Sequence, residues 1–134
     1  MEPSIRDGKP IHVLFVEDEF FLSEWVAESL SEQGFAVEAV CNAEDALRHL
    51  TLGPVDVLLT DINLPGDMDG IALARRAREL LPGLPIVYAS GDAAALDPCK
   101  RLPGSAAMLK PYVPAKVGQL LAGVVNPAAE LVPA

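Results

Sequence analysis

The sequence predicts an α/β domain in which a five-stranded parallel sheet carries helices on both faces. Three observations predict it. Short apolar runs at residues 11–16, 35–40, 55–59, 86–90 and 106–109 alternate with stretches of helical period, the pattern of repeated βα units. Val57, Leu58 and Leu59 are continuously apolar rather than alternating, as a strand buried on both faces requires. The 134 residues, 51% hydrophobic and 22% charged, suffice for one core, and no linker divides them.

The elements follow in order. Residues 1–10, with Pro3, Gly8 and Pro10, read as a flexible lead-in, and residues 11–125 as the domain. The strand 11–16 ends in Glu17-Asp18-Glu19. From Phe20 the period changes: Leu22, Val26 and Leu30 share one helical face, flanked by Phe21 and Trp25, with Glu24, Glu28 and Glu32 opposite. Gly34 closes that helix. After the strand 35–40, Asn42 caps a helix over 43–50 whose first turn holds Glu44 and Asp45, and Gly53-Pro54 breaks it. The strand 55–59 leads to Asp61 and a loop, residues 63–70, in which Asp67 and Asp69 are turn and cap residues. A helix over about 71–81 carries Arg75, Arg76 and Arg78, a solvated face or one that meets an acidic partner. The strand 86–90 ends at Ser90. Pro98 and Pro103 leave room for only a short or irregular fourth helix in 91–104. The strand 106–109 precedes Lys110-Pro111, a last helix spans roughly 114–124, and residues 126–134 form a tail.

Composition excludes several classes. Nineteen acidic residues against ten basic give a net charge of −9, unsuited to a nucleic-acid or anionic-membrane binder. No apolar run approaches the ~20 residues of a membrane span, and Met1-Glu2-Pro3-Ser4 is unlike a signal peptide. Cys41 and Cys99 are too few for a disulfide scaffold and are not spaced for zinc. His49 reads as an exposed helix residue. A cytoplasmic protein is expected.

Right-handed crossovers put all five strand ends on one sheet edge, where α/β proteins hold their ligands. That edge collects Glu17, Asp18, Asp61, Ser90 and Lys110. Packing gives no reason for an acid at the end of a buried strand. Crowded carboxylates raise one another's pKa, and a hard divalent cation reverses that cost. Mg²⁺ takes one or two carboxylates and keeps waters that a phosphate can replace. Lys110 is a compact counter-charge for phosphate oxygens, and the Ser90 hydroxyl can hydrogen-bond one. A carboxylate so placed can attack a phosphoryl group and become an acyl phosphate.

These residues resemble response-regulator receiver domains of two-component signalling. The match comprises Glu17-Asp18, Asp61, Leu64-Pro65 with Asp69-Gly70, Ser90-Gly91 and Lys110-Pro111, across residues 11–125. The resemblance implies a flavodoxin-like (βα)5 receiver fold with Asp61 as phosphoacceptor. It implies Mg²⁺ bound by Asp18, Asp61 and the Asn63 backbone carbonyl, with Glu17 acting through water. Ser90 becomes the switch hydroxyl, Lys110 the phosphate counter-ion and Lys110-Pro111 a cis bond. It further implies a histidine kinase or histidine phosphotransfer protein as donor, an unknown downstream partner, and a monomer or weak dimer that is no enzyme beyond its own phosphorylation and dephosphorylation. No nucleic acid or membrane is a partner.

Three departures mark this chain. Ala107 stands where the family places a switch Tyr or Phe. The segment Val87-Tyr88-Ala89-Ser90-Gly91 is similar to a subfamily whose fourth strand ends Phe-Ala-Thr-Gly. Asp67 lengthens the loop after Asp61, and Asn63 and Asp92 occupy positions that tune dephosphorylation. The expected protein is a stand-alone regulator that signals by phosphorylation-dependent binding or drains phosphoryl groups from a kinase. Two alternatives stand beside it. One is a pseudo-receiver that binds partners without phosphorylation. The other is a Toprim-like Mg²⁺-dependent nucleic-acid enzyme, whose Asp-x-Asp motif is Asp61-Ile62-Asn63 here.

Overall fold

The computed structural model describes residues 4–126. A two-stranded hairpin, β1 (Ile5–Arg6) and β2 (Lys9–Pro10), leads into β3 (His12–Val16), α1 (Phe20–Glu32), β4 (Ala36–Val40) and α2 (Ala43–Leu52). There follow β5 (Val57–Asp61), α3 (Gly70–Leu80), β6 (Ile86–Ser90), β7 (Ala106–Leu109) and α4 (Pro114–Val125). Between β6 and β7 lie two single 3-10 turns, Ala93–Leu96 and Pro98–Lys100, in place of a fourth α-helix.

The main sheet is parallel throughout, in the order β4-β3-β5-β6-β7. Helices α1 and α4 cover one face, where Val26, Leu30, Val117 and Leu121 pack on Phe15, Val57 and Leu59. On the other face α2 and α3 bury Ala46, Leu50, Leu73 and Ala77 against Leu14, Leu58 and Tyr88. Every residue of β5 and β6 is buried, which explains the apolar runs 57–59 and 86–89 within them. Three helices begin on side-chain caps that satisfy otherwise orphaned N–H groups. Glu19 accepts from Leu22 N at 2.7 Å, Asn42 from Asp45 N at 2.8 Å, and Asp69 from Ala72 N at 2.8 Å.

The N-terminus differs from the expected flexible lead-in over 1–10. Residues 5–10 form the hairpin, turned at Asp7 (φ 52°) and Gly8 (φ 77°), the paired positive angles for which Asp-Gly is favoured. The hairpin is anchored at both ends: Ile11 N donates to Ser4 O at 2.7 Å, and Asn126 Nδ2 to Ile5 O at 3.0 Å. Asn126, expected to open the tail, therefore belongs to the fold as the C-cap of α4; the rest of that tail, 127–134, and residues 1–3 lie outside the described residues. His49, read as exposed, is half-buried in a cleft it shares with His12 and Glu38. On α1 the expected inner face holds, with Val26 and Leu30 fully buried, while Phe20, Phe21 and Trp25 stay more than half exposed.

Candidate functional site

The strand register assembles the site. Glu17 N donates to Val40 O at 3.1 Å, which carries the β3–β4 ladder one residue past Val16 and turns Glu17 inward, 2% exposed. Asp61 closes β5 at 7% exposure, opposite Ala89. Ser90 and Leu109 are paired on the next two strands, so Lys110 leaves β7 at the same edge.

Lys110 joins the two buried acids. Its Nζ donates to Glu17 Oε1 at 2.6 Å and to Asp61 Oδ2 at 3.1 Å. The remaining oxygens are also engaged: Glu19 N donates to Glu17 Oε2 at 3.1 Å, and Asn63 N reaches Asp61 Oδ1 at 3.4 Å. Exposed Asp18 completes a trio in which one carboxylate oxygen each from Glu17, Asp18 and Asp61 lie within 4.8 Å of one another. Burial raises the Glu17 pKa above the ordinary carboxylate value, against the lowering effect of Lys110. For Lys110, burial pulls down, but the hydrogen bonds to Glu17 and Asp61 prevail and the ammonium is held above its usual value. Three acids and one cation leave this pocket with excess negative charge.

That donor set fits a hard cation. It is all oxygen, and in a six-coordinate Mg²⁺ site with bonds of about 2.1 Å, opposite ligands stand about 4.2 Å apart. One oxygen from each of the three acids already lies within 4.8 Å of the other two.

Ser90 is brought to this edge but is committed elsewhere. Fully buried, it accepts from Asp92 N through Oγ at 3.0 Å and from Lys110 N through its carbonyl at 2.8 Å. Asn63 meets the site through its N–H. Lys110-Pro111 is cis.

Several contributors are absent from the residues to which the sequence assigned a chemical role. Gly70 lets the start of α3 lie against the Asp61 backbone, with Gly70 N donating to Ile62 O at 2.7 Å, and the buried Thr60 hydroxyl donates to Asp61 O at 2.8 Å. Tyr88 lies directly opposite Ala107 in the β6–β7 register. It is fully buried and its hydroxyl accepts from Leu102 N at 3.3 Å. Tyr112, with Leu22, Trp25, Lys110 and Pro111, lines a cleft of about 270 Å³ beside the site. Burial pushes its phenol up to about 12. Gly70 carried a sequence signal in Asp69-Gly70, and Tyr88, two residues before Ser90, carried one because alternate strand residues share a face.

Comparison with known proteins gives one answer. Residues 13–119 match the response regulator receiver domain family. The response regulator receiver protein CpdR of Brucella abortus (strain 2308) is 39% identical over 102 residues, 75% of this chain and 84% of that protein. The transcriptional regulatory protein TrcR of Mycobacterium tuberculosis is 34% identical over 108 residues, 79% of this chain but 42% of that longer protein. A response regulator receiver protein from Sinorhizobium medicae WSM419 superposes with a TM-score of 0.81 at 32% identity, over 87% of this chain and 94% of that one. A CheY-like receiver from Methanospirillum hungatei JF-1, 22% identical, shares the fold at a TM-score of 0.78 over 91% of this chain and 98% of that one.

Proposed function

The chain belongs to the response regulator receiver domain family, whose members accept phosphoryl groups in two-component signalling, and from that premise we propose that Asp61 is its phosphoacceptor. The donor is the phosphohistidine of a histidine kinase or histidine phosphotransfer protein. A carboxylate oxygen of Asp61 forms the new P–O bond as the donor's P–N bond breaks, and the imidazole nitrogen leaves with the bonding electrons and takes a proton. Asp18, Asp61 and the Asn63 carbonyl, with Glu17 through water, would hold Mg²⁺, which would neutralise charge on the phosphoryl oxygens. Lys110 holds Asp61 in place beforehand and pairs with the phosphoryl group afterwards, and Ser90 exchanges its bond from Asp92 N for one to a phosphoryl oxygen.

The observation that carries this reading is the bridge from Lys110 to both Glu17 and Asp61. Exposed Phe20, Phe21 and Trp25, with Trp25 and Lys110 in one cleft, support docking of the phosphodonor beside the carboxylate. No described helix is long and apolar enough to cross a membrane, and a cytoplasmic kinase is the donor this reading needs. The chemistry stays confined to the domain's own phosphorylation and dephosphorylation. Its output is phosphorylation-dependent protein binding by a monomer or weak dimer, or removal of phosphoryl groups from the kinase.

Incubation with acetyl phosphate and Mg²⁺, read by intact mass, tests the assignment. One phosphoryl adduct is expected on the wild type and none on Asp61→Asn. A wild type that never acquires an adduct overturns the reading in favour of a module that works without phosphorylation, and an adduct that survives the substitution places the phosphoacceptor at a residue other than Asp61.

A further inference from the structure

We propose that the surface between α3 and residues 98–104 is a docking site for an acidic segment of a partner protein, gripped by Arg75, Lys100 and Arg101. Five of the chain's ten basic residues fall in two short stretches, Arg75, Arg76 and Arg78 on α3 and Lys100-Arg101. Arg78 joins the stretches. Its Nε and Nη2 donate to Leu84 O at 3.3 and 3.2 Å, and its Nη1 donates to Pro103 O at 3.0 Å. Arg75, three residues earlier, shares the Arg78 face of the helix, while Arg76 pairs with Glu79 at 3.6 Å.

Among the described residues, no carboxylate forms an ion pair with Arg75, Arg78, Lys100 or Arg101. Arg75 and Lys100 are exposed. Arg101 is more telling. Its Nε is buried with no hydrogen-bond partner, and its Nη1 makes only a long contact of 3.5 Å to Ser105 O. A buried cationic N–H without an acceptor costs stability until one arrives. Arg78, Arg75 and Arg101 each favour ionisation of the buried Tyr88 phenol, so all three charges lie within electrostatic reach of that one ring. Asp97, the nearest acid in sequence, uses Oδ1 to cap Cys99 N at 2.9 Å.

The occupant follows from charge. Guanidinium forks bind carboxylates in pairs of hydrogen bonds, and a short acidic segment presents negative charge only where these cations stand. A nucleic acid carries charge along its whole length and would face a chain of net charge −9. A second copy could offer the exposed Glu24, Glu28 and Glu32 of α1, but such a head-to-tail contact would build rings or filaments, an outcome the test reads. The site is independent of the phosphoryl chemistry, so the unphosphorylated protein tests it.

The experiment is fluorescence anisotropy of a labelled oligoglutamate peptide titrated with the full chain at low salt, with circular dichroism of each variant. Saturable binding that weakens with added salt is expected. Arg101→Gln should weaken it roughly two- to five-fold, and combined Arg75→Glu and Lys100→Glu, both at exposed positions, roughly four- to twenty-fold. Lys116→Glu, exposed on α4, should leave it unchanged. Absence of saturable binding, equal affinity of the double variant, or an equal loss on Lys116→Glu would overturn the proposal. So would tighter binding of an oligothymidylate, or sedimentation showing that the wild type self-associates through these same residues.

Discussion

Replacing Gly70 by alanine tests how the fold holds Asp61. A Cβ on Gly70 would stand 2.8 Å from Ile62 Cα and 2.9 Å from the Asp61 carbonyl carbon, and closer still to the carbonyl oxygen. All three are backbone atoms, so no rotamer change relieves the overlap. Ordinary contact begins at 3.4 Å, so the start of α3 must retreat by roughly 1 Å, a contact gap the packed core resists. Three effects compete. Alanine gains up to about 1 kcal/mol over glycine inside a helix, less at this first helical position. Overpacking costs about 1–3 kcal/mol. The retreat also lengthens the 2.7 Å bond from Gly70 N to Ile62 O, a bond of about 1 kcal/mol. The net expectation is a loss of about 1–3 kcal/mol, measured by urea unfolding followed by circular dichroism. Phosphorylation by acetyl phosphate should slow in parallel, because the displaced backbone is that of Asp61. Gly53→Ala, with nothing within 4 Å of its Cβ, is the control and should show no loss from overpacking. A Gly70→Ala protein as stable as the wild type would refute the reasoning, since the close approach would then constrain nothing.

Three further outcomes follow from the electrostatics. Lys110→Met leaves Glu17, 2% exposed, without its cation, and breaking such a pair costs about 3–5 kcal/mol, with the lower end expected because the Lys110 side chain is 21% exposed. The Glu17 pKa is already raised by burial, so its favourable contribution exists below its unfolded value of 4.5 and is lost as pH rises through the folded one. The Lys110→Met deficit in urea midpoint should therefore be larger at neutral pH than in acid, and a pH-independent deficit would count against the pairing. Both tyrosines are raised by burial, Tyr112 to about 12, whereas unfolded tyrosine ionises near 10.0. Stability should be full below that value and decline as pH rises through the folded pKa values, and a full equivalent of tyrosinate absorbance near pH 10 in the folded protein would contradict this. Mg²⁺ at a hundred times its dissociation constant should stabilise the wild type by about 2.7 kcal/mol. Asp18→Asn should lose most of that gain in thermal melts, and an undiminished gain would place the cation elsewhere.

The parts of the molecule legible in sequence are those that local pattern dictates. Continuous apolar runs marked β5 and β6, the side-chain caps at Asn42 and Asp69 marked two helix starts, and parallel topology alone sent Glu17, Asp61, Ser90 and Lys110 to one edge. What stayed hidden depends on which residues face each other across strands or along the chain's ends. Ala107 read as a missing aromatic, because nothing local says that Tyr88 is its partner in register. Gly70 read as a turn residue, because its constraint is the backbone of Asp61 nine positions earlier. The Asp7-Gly8 hairpin was masked by neighbouring prolines that suggested flexibility.

The same reasoning sharpens what Lys110 does. In sequence it is a counter-charge waiting for phosphate; in the structure it is already bound to Glu17 and Asp61. If Asp61 is phosphorylated, its phosphoryl oxygens and Glu17 compete for one ammonium. Glu17 is 2% exposed, so the loss of Lys110 leaves its carboxylate to be neutralised by a proton or another cation. A divalent ion held by the acidic trio would meet that need. Ala107 stands opposite Tyr88, whose hydroxyl accepts from Leu102 N, so that bond ties β6 to residues 91–104. Conformational response is then expected in that segment rather than in an aromatic on β7.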